Sequence, residues 1–223
     1  MRKTFAVIAA IALASTGARA QDIDALKMSL NDSRLVPRDA AAIGFVSRLG
    51  KCLAVRAKAN ILAFEPRSAK SNSGLIELTL SDVGCGSFRD NTRYSSIYLR
   101  GPIAEAYLGR LGAQKKMTKS ELRIYAEPSA EQLKNMPSDV RTDVVLVSMG
   151  ACVDKADHSG TLRIFDTEVG SHDETEAFRT ITPALSGCVP PGVQLSFSKF
   201  ELRGYLAEGA FRNAVQSMSA GRS

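Results

Sequence analysis

The chain has 223 residues, enough for one large or two small domains, with 6% aromatic residues, no tryptophan and a formal charge of +6. Arg2, Lys3 and Arg19 carry three of those charges in a stretch with no acid, so the rest of the chain holds only +3. With no Lys/Arg-rich tract, this composition argues against nucleic-acid binding, and Lys115, Lys116, Lys119 and Arg123 read as a solvated linker.

The first twenty residues have the layout of a secretory signal. Arg2 and Lys3 precede an apolar run from Phe5 to Ala14, and Ala18-Arg19-Ala20 is a small-x-small cleavage site. The run is shorter than the roughly 20 residues that span a bilayer. The expectation is a mature chain starting at Gln21, periplasmic or secreted, with no lipid anchor or transmembrane span. Residues 21–36 form a lead-in.

From Pro37 the chain carries one unit twice. Pro37-Arg38-Asp39 matches Pro137-Ser138-Asp139, and Gly50-Lys51-Cys52 matches Gly150-Ala151-Cys152. Phe64-Glu65 matches Phe165-Asp166, and Gly84-Cys85 matches Gly187-Cys188. Leu99-Arg100-Gly101 and Ala104-Glu105 then match Leu202-Arg203-Gly204 and Ala207-Glu208 at an offset of 103. The units span 37–111 and 137–216, with a polar connector at 112–136 and a flexible tail at 217–223. The pattern resembles small exported bacterial proteins with two Cys per unit and a closing Leu-Arg-Gly…Ala-Glu-Ala helix. The resemblance covers nearly the whole mature chain, but its motifs are structural and it implies no activity.

Each unit reads as helical. Pro37 to Arg56 places Phe45, Val46, Leu49, Cys52 and Leu53 on one half of a helical wheel. In the second unit Val144-Val145-Leu146-Val147 favours a strand by propensity, yet the gapless alignment from Pro37 to Cys52 argues for a helix there too. Short helices are expected over Ala57–Phe64 and Ser159–Phe165. Further helices are expected over Ser73–Val83 and Asp173–Leu185, with Pro183 perturbing the last turn. The connector has room for a short helix from Pro128 to Asn135. The closing helices begin at Ser95 and Ser198, where Ser198-Lys199-Phe200-Glu201 is a capping box. The expected fold is all-α, two homologous disulfide-stapled bundles of about four helices each, in tandem.

Four cysteines in an exported chain argue for two disulfides. Three pairings are possible and all respect the repeat. Compactness favours Cys52–Cys85 and Cys152–Cys188, each worth roughly 3–4 kcal/mol in the chain-entropy model. Neither a metal site nor a Cys-x-x-Cys redox site is indicated, and no cofactor is expected.

Arg100 and Arg203 fall inside the apolar arcs of the closing helices, where a buried guanidinium needs a partner. The acids recurring in both units are Asp39/Asp139, Glu65/Asp166 and Glu105/Glu208. The last pair lies five residues downstream on the same helix, pointing about 140° away, and ranks lowest. An ion pair, or a bond to helix C-terminal carbonyls, is favoured over an anion-binding site for these arginines. Gly101 and Gly204 at the edge of the arc suggest close approach of another backbone. Other chemistry is sparse. His158 and His172 lie fourteen apart, and Asp154, Asp157 and His158, or His172, Asp173 and Glu174, read as solvated turns. Ser196 and Lys199 fit Ser-x-x-Lys, where a lysine activates a serine. The expected function is a non-catalytic protein binding a partner protein or envelope component. The alternatives are an envelope hydrolase using Ser196/Lys199 and a small-anion binder using the two arginines.

Overall fold

The computed structural model describes residues 40–56, 96–111, 129–189, 195 and 198–220. Among these the regular structure is entirely helical, in keeping with the all-α expectation. In chain order the helices are α1 (Ala40–Arg56), α2 (Ser96–Leu111), α3 (Ala130–Asn135), α4 (Ser138–Ala156), α5 (His158–Phe165), α6 (His172–Cys188) and α7 (Lys199–Ala220). The expected signal, lead-in, Ala57–Phe64 and Ser73–Val83 helices, and Cys85 lie outside the described residues.

Local chemistry starts most of these helices. At α3, Ser129 accepts from the Gln132 amide while the Gln132 side chain accepts from the Ser129 amide, a full capping box. Asp157 ends α4 and caps α5, its carboxylate accepting from the Gly160 amide at 2.9 Å. Ser171 caps α6, and Gly170 before it has φ +82°, a conformation that suits a residue without Cβ. At α7, Glu201 Oε2 accepts from the Ser198 amide and Ser198 Oγ accepts from the Glu201 amide. The predicted capping box is therefore present in both halves.

Two expectations change in detail. α6 continues past Leu185, where it was expected to stop, to Cys188, with Pro183 inside it. α7 runs through Ala220, past residue 216 where the second unit was expected to stop. The Val144–Val147 run lies within α4, with Val144, Leu146 and Val147 at most 2% exposed. Their packing overrides the strand propensity, since each large side chain taken fully out of water is worth roughly 1.5–3 kcal/mol.

Packing runs in the order α1, α2, α7, α4: α7 lies between α2 and α4, and α1 packs on α2. Val46, Leu49, Leu99, Ile103, Tyr107, Phe211 and Val215 form the core of α1, α2 and α7. Val153, Ile164, Ala177, Ile181 and Leu206 form a second core, where α5 and α6 close over α4 and α7. Glycines sit where these helices meet. A Cβ on Gly101 would collide with the Cα of Gly204, and one on Gly150 with the Tyr205 carbonyl. A Cβ on Gly50 would press on Pro102 and the Leu99 carbonyl in the same manner. The close backbone approach expected at Gly101 and Gly204 is thus an approach of these two residues to each other.

Cys152 and Cys188 form a disulfide that ties α4 to the end of α6, with Cα atoms 5.8 Å apart. Cys52 is disulfide-bonded as well, and its partner lies outside the described residues.

Candidate functional site

The two arginines singled out by the repeat converge on the α2–α7 interface, and both are buried. Arg100 on α2 donates through Nη2 to Glu208 Oε2 on α7, while its Nη1 lies 3.6 Å from Asp143 Oδ2 on α4. Arg203 on α7 donates through Nε and Nη2 to Glu105 on α2 at 2.8 and 2.9 Å. Its Nη1 donates to Glu174 Oε1 on α6 at 2.7 Å, and Nη2 also donates to the carbonyls of Phe165 and Thr167. Lys51 on α1 completes this second cluster, 3.0 Å from Glu105 Oε1.

The ranking of acids by helix geometry is therefore corrected. Glu105 and Glu208, placed last, are the partners, each serving the arginine of the other helix. Their direction explains it: a carboxylate pointing away from the arginine on its own helix points toward the neighbouring one. Asp166 is exposed at the C-cap of α5. Asp39, Glu65 and the Asp139 side chain lie outside the described residues. Sequence reasoning missed Asp143 and Glu174, which have no counterparts among the recurring acids.

The electrostatics follow from burial. Desolvation lowers the Arg100 pKa, but Glu208 and Asp143 outweigh it and hold the guanidinium above its ordinary value. Arg203 is raised in the same way, burial being outweighed by Glu105 and Glu174. Burial pushes the Glu208 carboxyl above the usual carboxylate range against the opposing pull of Arg100 and Arg212. The Tyr205 phenol goes well up, from burial first and then from Asp143 and Glu208.

Beside this interface, Tyr98, Pro102, Phe200, Glu201, Gly204, Tyr205 and Glu208 line a cavity of about 10 Å³, the room of a single water. Tyr98 closes one side, its hydroxyl donating to Glu201 Oε1 at 3.3 Å.

The remaining candidates separate. His158 Nδ1 is 2.8 Å from Asp154 Oδ1, and Asn213 Nδ2 donates to Asp154 Oδ2 at 2.7 Å. Asp154 is buried, so this cluster is a tie between α4, α5 and α7 rather than a solvated turn. His172 is 84% exposed, 3.9 Å from Asp173 and from Glu176, which fits the expected solvated turn. Glu174, assigned to that turn, is instead 1% exposed and bonded to Arg203. Lys199 Nζ donates to Thr175 Oγ1 at 2.7 Å and Ser198 is taken up in the α7 cap, while Ser196 lies outside the described residues. Among the described residues no group of three or more His, Cys, Asp or Glu side chains is placed to hold a metal, and no helix is long and apolar enough to cross a membrane.

Comparison of the chain with known protein families, curated proteins and solved structures finds no match.

Proposed function

We propose that the chain is an exported bacterial protein, periplasmic or secreted, that acts without catalysis by binding a partner protein or envelope component. In this reading the two sequence units are homologous helical bundles in tandem, each stapled by its own disulfide, Cys52–Cys85 and Cys152–Cys188. The reading is supported by the bonded cysteines, which suit an oxidising compartment.

One observation carries it furthest. The charged side chains that recur at the same place in both units are committed to each other, Arg100 to Glu208 and Arg203 to Glu105. An anion reaching either guanidinium must displace a carboxylate already bonded there, which removes support from the anion-binding alternative. A rigid internal scaffold leaves recognition to the outer faces of the helices.

Mild crosslinking of the tagged protein in the envelope of its native host, followed by affinity capture, tests the proposal. A stoichiometric partner, captured equally well by a Lys199→Ala chain, is the expected result. Ester or amide hydrolysis by the purified protein that Lys199→Ala abolishes would replace the reading with that of a hydrolase.

A further inference from the structure

The contacts across α2 and α7 have the arrangement of an isologous dimer interface, in which residue i meets j and j meets i. Gly101 meets Gly204, its own counterpart at the offset of 103. Tyr98 bonds Glu201, again its counterpart at that offset. Arg100 meets Glu208 while Arg203 meets Glu105, so the off-axis pairs are reciprocal. Two stretches of one chain are packed as though they belonged to two copies.

We propose that this interface also forms between chains, α1–α2 of one copy docking on α4–α7 of a second and the reverse, in a domain-swapped dimer. This goes beyond the reading of function above and does not depend on it. α1 packs chiefly on α2, and Lys51 of α1 pairs with Glu105 of α2, so this pair of helices can exchange as one body. Residues 112–129 join α2 to α3, a length of chain that reaches roughly 60 Å when extended. Every ion pair across the interface is satisfied identically whether its members come from one chain or two. The exchange therefore costs no buried charge, and its partner is specified as a second copy of this chain.

Complementary charge inversion tests it on the full chain. Arg100→Glu alone sets two buried carboxylates against each other, and Glu208→Arg alone sets two guanidinium groups against each other. In a swapped heterodimer of these two variants, one interface carries the native pair and the other the inverted pair. Co-refolded at high concentration with one chain isotopically heavy, the two should give a 1:1 dimer by native mass spectrometry, at least tenfold above either variant alone. Arg100→Glu co-refolded with Arg100→Asp serves as the control, because the swap sets two carboxylates against each other in both of its interfaces and should yield no such dimer. Heavy and light wild-type chains refolded together at the same concentration keep the test decisive if the variants fail to fold: mixed dimers are expected. Wild-type chain recovered only as monomer, or a dimer equally abundant in the control mixture, would overturn the proposal.

Discussion

Arg100 and Glu208 stand 108 positions apart in the chain and share a buried hydrogen bond between α2 and α7. Arg203 and Glu105 share the reciprocal one. Three buried charges and the part-buried Glu105 thus depend on a single helix contact being made, and that dependence governs how the protein responds to substitution.

Arg100→Met and Arg203→Met should each be strongly destabilising. Removing one member of a buried pair leaves the survivor uncompensated, at a cost of about 3–5 kcal/mol. Arg203→Met leaves Glu105 with Lys51 and Glu174 with the Gly170 amide as their remaining partners, while Arg100→Met sets Glu208 beside Asp143 without its guanidinium. In a chain of this size each kcal/mol moves the midpoint by roughly 2–4 °C, so thermal melts should fall by about 10 °C in both variants. An unchanged or raised midpoint in both would reject a structural role for the arginines.

The two glycines at the crossing should respond in opposite directions. A Cβ at Gly101 collides with the Gly204 Cα, whereas one at Gly204 finds Gly101 Cα at 3.5 Å, an ordinary contact. Gly101→Ala should lose about 1–3 kcal/mol through forced backbone displacement. Gly204→Ala should be neutral or gain up to about 1 kcal/mol, since alanine favours the helix interior. Urea midpoints of the two variants check this, and equal losses would contradict the geometry.

The pH dependence of stability should carry a signature of Glu208. Its carboxyl is raised in the folded chain, so the native state binds a proton there more readily than the unfolded state does. This contribution is therefore greatest below the ordinary glutamate value of about 4.3. It is lost as pH rises through the folded value. Glu208→Gln removes the titration, so its stability relative to wild type should improve as pH climbs through that window and then level off. Parallel melts across mildly acidic pH measure the difference, and a constant gap would show that Glu208 titrates alike in both states.

Breaking the Cys152–Cys188 bridge should destabilise the chain without changing its helix content. The bridge spans 36 positions, and the chain-entropy model assigns a loop of that length about 4 kcal/mol. The double substitution of Cys152 and Cys188 by serine should lower the urea midpoint while leaving the far-ultraviolet circular dichroism of the folded protein close to wild type. No fall in midpoint would mean that the unfolded chain is already as confined without the bridge as with it.

Helix starts were the most legible part of the fold, because their chemistry is local. Ser198 and Glu201 announce α7 within four residues, and the capping box does form there. The helical fate of Val144–Val147 was readable only through its alignment with the first unit, since its own propensity points the other way. The partners of Arg100 and Arg203 were not legible, for a geometric reason. A helical wheel shows which side chains share a face of one helix and is blind to which helix stands opposite. The clue was present all the same: an arginine and a glutamate that face apart on a helix occurring twice can be reconciled if the two copies pack together. Asp143 and Glu174 gave no such clue, as each occurs in one unit only.

Gly50, Gly101 and Gly150 put backbone against backbone at the three successive contacts of α1, α2, α7 and α4. Surfaces of that kind have no side-chain rotamers to exchange, so these helices have no graded way of sliding past one another. Relative movement there is confined to discrete jumps of register or complete separation. α5 and α6 meet their neighbours through side chains such as Ile164, Ala177 and Ile181, which can repack by small steps. The row of four helices is the frame to which α6 is fastened, by the Cys152–Cys188 bridge on one side and the Glu174–Arg203 pair on the other.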